Sequence, residues 1–224
     1  MIAGVRLKVC GLTSLVDAEA ADAVGADYLG FILHPKSPRY VSLAQFEAMA
    51  PRLPPRKKVA VVVEPSLEAI TAIKAAGFDH VQLHFANETP FSMASLWLDV
   101  IPPEMLWLAP RVPPGKDFDL AFVPLADTIL LDTYHPNLFG GSGHTGDWKT
   151  FAWHRTQFKK VNWVLAGGLN AENIGDAIAA TGARFVDVNS GVEAAPGRKD
   201  PEKLKVFAAA LARSVKPSAG PAAE

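Results

Sequence analysis

The single cysteine of the chain, Cys10, occupies a position where a thiol could take part in catalysis. Residues Val5–Thr13 read as a short apolar strand that ends at Cys10, followed at once by Gly11 and the start of a helix. In a chain of alternating strands and helices, the carboxyl ends of the strands carry the active site. A lone cysteine is also commonly a small buried hydrophobic residue, so position alone leaves a catalytic and a structural role open.

Further polar residues lie at or near the ends of predicted strands. Asp132 follows three apolar residues, which favours an acid or base role, although a carboxylate here could instead cap the following turn. Asp187 lies in a similar position on the last predicted strand. Gln82 and His84 alternate along the fourth, so both side chains can point into the mouth of a barrel. The histidines show no metal-ligand spacing, and we expect no metal.

A proline-framed loop, Pro35–Tyr40, follows the second predicted strand and contains Arg39. A rigid loop that presents a guanidinium group suits two-point capture of a carboxylate. A solvated basic loop has the same composition, so the residues alone leave both interpretations open.

Glycine clusters after the late predicted strands are candidates for phosphate binding, because bare main-chain amides bind phosphate well. In eight-stranded barrels the phosphate site uses the loops after strands seven and eight. The candidate residues are Gly141, Gly143, Gly167, Gly168, Ser190 and Gly191. Tight turns would also explain each cluster taken singly. The stretch Gly141–Gly146 matches G-x-G-x-x-G, but its distance from the preceding strand disfavours a dinucleotide site.

Eight short apolar runs alternate with helical patterns along the chain. The predicted strands lie near Val5–Val9, Asp27–Leu33, Lys58–Val63, His80–His84, Met105–Ala109, Thr128–Asp132, Asn162–Ala166 and Arg184–Val188. The predicted helices are Ser14–Val24, Ser42–Ala50, Ser66–Ala76, Asn87–Leu98, Asp147–Gln157, Ala171–Ala180 and Pro201–Ser214. Ser14, Ser42, Ser66 and Asn170 are typical N-caps, and Gly25, Gly77 and Gly182 are typical helix ends.

This alternation predicts a single α/β domain, a (β/α)8 TIM barrel over residues 1–214. A doubly wound sheet is the alternative, but it needs a phosphate-binding glycine loop after the first strand, where Gly11 is the only glycine. The segment Pro110–Pro124 is rich in proline, so we expect the fifth helix to be short or irregular. Residues 215–224 are expected to form a disordered tail.

Composition narrows the possible partners. The formal net charge of −1 argues against nucleic acid and against an electrostatic membrane-surface role. Apolar runs are too short to span a bilayer, and the first residues lack the pattern of a signal peptide. One free cysteine is typical of the reducing cytoplasm. We therefore expect a cytoplasmic protein whose partner is a small molecule.

Taken together, these segments resemble the phosphoribosylanthranilate isomerase family of tryptophan biosynthesis, which performs an Amadori rearrangement. The resemblance covers most of the chain. It is carried by Lys8–Thr13, Gly25–Asp27, Gly30–Phe31, Pro35–Ser42, Val81–His84, Leu130–Thr133, Gly140–Gly143, Ala166–Asn170 and Val186–Glu193. The chain departs from the common family pattern at Phe85, His144 and Asn189.

The resemblance implies an eightfold barrel without a cofactor, acting on N-(5-phosphoribosyl)anthranilate as an aldose-ketose isomerase. It implies that Cys10 is the general base, that Asp132 is the general acid, and that Arg39 holds the anthranilate carboxylate. The glycine loops would hold the sugar phosphate. For this chemistry the pKa of Asp132 must rise, through burial or a nearby negative charge. The pKa of Cys10 must fall, and we expect Lys8 and a helix N-terminus to lower it.

Other functions remain open at this stage. A histidine-pathway isomerase performs the same rearrangement, but it typically carries an acid where Cys10 stands. A Schiff-base aldolase needs an inward lysine on a late strand, and strands six and seven contain none. A catalytically silent barrel that binds a phosphorylated metabolite is the non-enzymatic alternative. The sequence does not choose between a monomer and a homodimer.

Overall fold

The computed structural model describes residues 1–113, 116–132 and 148–215, and its centre is a closed barrel of eight parallel strands. The strands follow one another around the barrel in chain order, and the eighth pairs with the first. They are β1 (Arg6–Val9), β2 (Tyr28–Ile32), β3 (Lys57–Val63), β4 (His80–Ala86), β5 (Leu106–Arg111), β6 (Thr128–Leu131), β7 (Asn162–Leu165) and β8 (Phe185–Val188). The prediction of a TIM barrel is confirmed, and the doubly wound sheet is excluded.

In the described part of the chain, an α-helix follows each barrel strand except β5. The helices are α1 (Leu15–Ala23), α2 (Leu43–Met49), α3 (Leu67–Ala75), α4 (Phe91–Ser95), α5 (Trp148–Gln157), α6 (Ile174–Thr181) and α7 (Pro201–Ser214). Ser14, Ser42 and Ser66 cap the first three helices by accepting a backbone N–H three residues on, as predicted. Asn170 was expected to cap α6, but that helix begins later. The Asn170 side chain instead accepts the backbone N–H groups of Glu172 and Asn173 in the preceding turn.

The connection between β5 and β6 carries a short 3-10 turn, Leu120–Leu125, instead of an α-helix. Pro124 lies inside this turn, and proline cannot donate the backbone hydrogen bond that a longer helix requires. Phe122 and Leu125 are buried and cover the barrel wall in place of a full helix. The expectation of a short or irregular fifth helix is confirmed.

Two apolar layers result from the alternation of strand residues. One layer lies between the strands and the helices and includes Phe85, which packs edge-on against Trp97 and Phe122. The other layer fills the barrel interior. Its members are Val59, Trp107, Ala109, Leu130, Val164, Ala166 and Phe185, with Tyr28 packed against them.

Aromatic side chains close the interior of the barrel toward the amino ends of the strands. Tyr28 lies 4.9 Å from Phe185 and 5.1 Å from Trp107, measured between ring centroids. Lys8, Gln82 and Asp187 also lie on the inner face of the barrel, but they are nearer the carboxyl ends of their strands than these aromatic residues. The polar site is therefore confined to the carboxyl mouth of the barrel.

A small antiparallel hairpin follows β8 and was not predicted. Its strands are β9 (Glu193–Ala195) and β10 (Arg198–Lys199). Among the described residues no helix is long and apolar enough to cross a membrane. The predicted domain boundary remains a prediction, since residues 216–224 lie outside the described ranges.

Candidate active site

Three ionisable side chains lie together at the mouth of the barrel. Cys10 directly follows β1, is 4 % exposed, and donates its backbone N–H to Val188 of β8 at 2.9 Å. Lys8 lies two residues earlier on the same face and is fully buried. Its ammonium group is 3.0 Å from Asp187 Oδ2, and the strand register sets these two residues side by side. The arrangement places a thiol, a cation and a carboxylate in one buried cluster.

Burial dominates the acidity of the Cys10 thiol. It raises the pKa of Cys10 above its ordinary value because the thiolate loses its hydration, and the Asp187 carboxylate raises it further. Lys8 opposes this rise, as the sequence predicts, since an adjacent ammonium stabilises the thiolate. The loss of water outweighs the nearby cation, so the pKa of Cys10 lies above its ordinary value overall.

The Lys8–Asp187 pair is held with one carboxylate oxygen unused. Burial raises the pKa of Asp187, and the nearby Lys8 ammonium opposes this rise. Burial alone would lower the pKa of Lys8, but the charges of Asp187 and Cys10 raise it overall. Asp187 Oδ1 is buried without a hydrogen-bond partner among the described residues. That oxygen is available to accept a hydrogen bond from a ligand hydroxyl.

Space for the thiol and the ammonium comes from Gly30 of β2. A methyl group on Gly30 would lie 2.9 Å from Lys8 Cε and 3.1 Å from both Cys10 Cα and Cys10 Sγ. These separations are shorter than van der Waals contact, so a larger residue would displace the cluster. The glycine in the quoted segment Gly30–Phe31 therefore has a packing role beside the thiol.

Gln82 and His84 share the inner face of β4, in accordance with their alternation. Gln82 Nε2 lies 2.8 Å from His84 Nε2. An amide nitrogen only donates, so His84 accepts through Nε2 and carries its proton on Nδ1. Burial, with the positive charges of Lys8 and Arg111, lowers the pKa of His84 to about 3. His84 is therefore a neutral polar group at physiological pH, and Gln82 Oε1 has no partner among the described residues.

Asp132 follows β6 on the face of the strand that also carries the inward Leu130. Its side chain is exposed. The assignment of Asp132 as the general acid remains a prediction. The predicted phosphate ligands Gly141 and Gly143 lie outside the described residues, as does His144.

The two remaining glycine loops touch each other. Gly167 and Gly168 follow β7 with φ values of 92° and 62°, a left-handed conformation that glycine adopts without strain. Ser190 and Gly191 begin a 3-10 turn after β8. A side chain on Gly191 would lie 2.1 Å from the carbonyl oxygen of Leu169, so only glycine allows this approach. The two loops together present main-chain groups at one point of the mouth.

Arg39 is buried, whereas Pro35, Lys36, Pro38 and Tyr40 of the same loop are exposed. Its side chain forms two charge-assisted hydrogen bonds to Glu193, from Nε to Oε1 at 2.8 Å and from Nη2 to Oε2 at 2.7 Å. Lys199 Nζ lies 3.0 Å from the same Glu193 Oε1. It also bonds to the backbone and side-chain oxygens of Asn189. This group, called the Arg39 cluster below, consists of Arg39, Asn189, Glu193 and Lys199.

Sequence reasoning missed the roles of Glu193 and Lys199. Glu193 stands at the end of the quoted segment Val186–Glu193, but a glutamate after a strand has no pattern of its own. Lys199 lies on the unpredicted strand β10, and its partners are known only once that strand folds back. Neither the burial nor the pairing of these residues is readable from spacing.

Comparison with known proteins identifies the family. The family model described as N-(5'-phosphoribosyl)anthranilate (PRA) isomerase matches residues 7–210. The chain belongs to this family. The match spans all eight barrel strands except the first residue of β1, and it includes every predicted site residue from Cys10 to Gly191.

Individual phosphoribosylanthranilate isomerases are similar over nearly their whole length. The enzyme from Cereibacter sphaeroides is 40% identical over 218 residues, covering 92% of this chain and 98% of that protein. The crystal structure of the enzyme from Thermotoga maritima has a TM-score of 0.80 and 36% identity, covering 94% of this chain and all of that one.

Two further solved structures bear on ligand and assembly. One is a phosphoribosyl anthranilate isomerase in complex with reduced 1-(o-carboxyphenylamino)-1-deoxyribulose 5-phosphate, with 33% identity and a TM-score of 0.75 over 94% of this chain and all of that one. Another contains monomers generated from the dimeric Thermotoga maritima enzyme, with 34% identity and a TM-score of 0.75 over 92% of this chain and 98% of that one. The family therefore includes a dimeric member and a member that binds a phosphorylated product analogue.

Proposed function

We propose that this chain converts N-(5-phosphoribosyl)anthranilate to 1-(2-carboxyphenylamino)-1-deoxyribulose 5-phosphate in tryptophan biosynthesis. The observation that carries the proposal is the buried cluster of Cys10, Lys8 and Asp187 at the barrel mouth of a chain that the family model matches from residue 7 to 210. The reaction moves protons within one molecule, so it fits the expectation of no cofactor and no metal.

Asp132 begins the reaction by protonating the ring oxygen of the aminoaldose. The bond between C1 and this oxygen breaks, and the nitrogen lone pair forms a protonated C1=N double bond. The anionic substrate supplies a negative charge that favours the protonated form of this carboxyl group.

Cys10 then removes the proton from C2. The electrons of the C2–H bond form a C1=C2 double bond, and the C1=N electrons return to nitrogen. The resulting enol then gains a proton at C1 and loses its hydroxyl proton, which gives the ketone. Burial favours the neutral thiol in this structure, so the thiolate needs compensating positive charge. Lys8 and the protonated C1=N group of the intermediate together supply it at the moment when the base is required.

Anchors hold the two ends of the substrate on either side of these groups. The loops with Gly167, Gly168, Ser190 and Gly191 bind the phosphate through main-chain amides. Arg39 binds the anthranilate carboxylate. The unused Asp187 Oδ1 and Gln82 Oε1 accept hydrogen bonds from ribose hydroxyls. Fixing both ends converts proton transfer into a step within a preorganised complex.

The location and partners follow from the same proposal. The chain acts in the cytoplasm on a small sugar phosphate, with no nucleic-acid or membrane partner, and its one cysteine stays a free thiol. A monomer and a homodimer are both compatible with the site, which is built from residues of one chain.

The assignment is tested by measuring the turnover of the wild-type protein and of two variants. The fluorescence change between substrate and product is the readout. Cys10→Ala and Asp132→Asn should each reduce kcat by roughly 10²–10⁴-fold. Asp99→Asn, which changes an exposed aspartate away from the mouth, is the matched control. Near-normal turnover of Cys10→Ala would refute the base assignment. A wild-type protein that binds substrate without converting it would point to the silent barrel.

A further inference from the structure

The Arg39 cluster concentrates buried charge at one side of the mouth. Arg39 and Lys199 contribute two positive charges and Glu193 contributes one negative charge, so these three side chains sum to a net charge of +1. All three are buried, and the buried carboxylate of Asp17 lies beside them, accepting the backbone N–H of Lys199 at 3.0 Å. Charge alone therefore does not call for a ligand, and the donors of Arg39 that are already used decide whether one can bind.

The hydrogen-bond inventory shows where a ligand carboxylate can bind. A guanidinium group has five N–H donors and two edges that accept a carboxylate in two-point fashion. Glu193 occupies the edge formed by Nε and Nη2. Among the described residues Nη1 has no hydrogen-bond partner, so the edge formed by Nη1 and Nη2 is free. Lys199 spends its three donors on Glu193 and Asn189 and offers none to a ligand.

Glycine at position 11 leaves room for the Arg39 side chain and for Asn189. A side chain on Gly11 would lie 2.7 Å from Arg39 Cδ and 2.5 Å from Asn189 Oδ1. Burial alone would raise the pKa of Glu193, but Arg39 and Lys199 together hold it below its usual range. Glu193 is therefore ionised and fixed. The Arg39 guanidinium is also near enough to Cys10 for the two charges to interact.

We propose that Glu193 is a positioning residue for substrate recognition. It holds the Nε and Nη2 edge of Arg39 so that the Nη1 and Nη2 edge receives the anthranilate carboxylate end-on, and Lys199 fixes Glu193 from behind. This inference rests on the proposed function, because that function supplies the carboxylate. It assigns the selectivity for a carboxylated aniline to a residue on the hairpin that follows β8.

The test measures equilibrium affinity with Glu193→Gln, which has one acceptor oxygen and an amide group that faces the guanidinium donors. The probes are reduced 1-(o-carboxyphenylamino)-1-deoxyribulose 5-phosphate and the same compound without its carboxyl group. Glu193→Gln should weaken binding of the first probe about tenfold and should leave binding of the second within about twofold. Glu202→Gln, at an exposed glutamate of α7, should change neither.

A double-mutant cycle with Arg39→Ala locates the effect. If Glu193 acts through Arg39, Glu193→Gln should have no further effect on the carboxylated probe once Arg39 is removed. Tighter binding by Glu193→Gln would show that Glu193 only competes with the substrate carboxylate, and would overturn the proposal. Equal weakening of both probes would also overturn it, because a general loosening of the mouth affects phosphate binding as well.

Separate controls distinguish a folding defect and a failure of the proposed function from a failure of this proposal. If Glu193→Gln does not fold, the double variant Glu193→Gln/Lys199→Met removes one charge of each sign, keeps the net charge at +1, and should show the same selective weakening. The measurements report affinity and not turnover. Failure of the proposed function would instead show as a wild-type protein that distinguishes the two probes but converts no substrate.

Discussion

Substitution of Gly30 by alanine should damage stability and catalysis together. The added methyl group would meet Lys8 Cε at 2.9 Å and Cys10 at 3.1 Å. Lys8 cannot easily retreat, because its ammonium group is buried and bonded to Asp187. The Cys10 backbone is tied to Val188 of β8. The clash can therefore be relieved only if the barrel wall or the Cys10 thiol moves.

Two opposing contributions set the size of the effect on stability. Overpacking a well-packed core reduces the free energy of unfolding by about 1–3 kcal/mol. Replacing glycine by alanine also raises the free energy of unfolding by about 0.4–1 kcal/mol, because the unfolded chain has less conformational freedom. We expect Gly30→Ala to lower the free energy of unfolding by about 1–2 kcal/mol. Displacing Cys10 Sγ by a few tenths of an ångström should lower kcat about tenfold.

Gly175→Ala is the matched control. Gly175 lies in α6, and an added methyl group would have no atom within 4 Å. Alanine favours a helix over glycine, so this variant should be more stable by about 0.5–1 kcal/mol and should keep its kcat. Urea unfolding, monitored by tryptophan fluorescence, measures the stability of both variants, and the turnover assay measures their kcat. Equal stability and equal kcat in the two variants would refute the argument that Gly30 makes room for the cluster.

Two further predictions concern protonation. Lys8→Met removes a cation that lowers the pKa of Cys10, so the pH profile of alkylation of this only cysteine should shift upward; a downward shift would contradict the assigned electrostatics. The pKa of His84 is lowered to about 3, so between about pH 6 and 3 the unfolded state binds the extra proton. The free energy of unfolding should then fall by up to about 1.4 kcal/mol for each unit of acidification. This slope should be smaller in His84→Gln, and identical slopes in urea titrations would show that His84 does not contribute.

Periodicity and strand ends were enough to predict the architecture. All eight barrel strands occur where the apolar runs indicate, because the alternation of strand and helix leaves few ways to bury both faces of a parallel sheet. The irregular fifth connection was also predicted correctly, since proline removes a backbone donor wherever it occurs. The start of α6 was misplaced, because Asn170 begins a turn whose hydrogen bonds resemble those of a helix cap.

Electrostatics at the site was less predictable, because it depends on burial and on residues far apart in the chain. Proximity of Lys8 to Cys10 followed from strand alternation, but the dominant effect of burial on the thiol needed the folded structure. The burial of Arg39 against Glu193 was likewise not readable from the sequence, because the two residues are 154 positions apart. Phe85 shows the converse case, since alternation places it on the outer layer and away from the mouth.

The distance along the chain between paired charges has a consequence for biosynthesis. Lys8 and Asp187 are 179 residues apart, and Arg39 and Glu193 are 154 apart. Contacts of such long range form late, because the intervening chain must first be ordered. In a nascent polypeptide, Lys8 and Cys10 therefore leave the ribosome long before Asp187, Glu193 and Lys199 are synthesised. The chain can turn over substrate only after the last strand has closed the barrel. Incomplete translation products are therefore inactive.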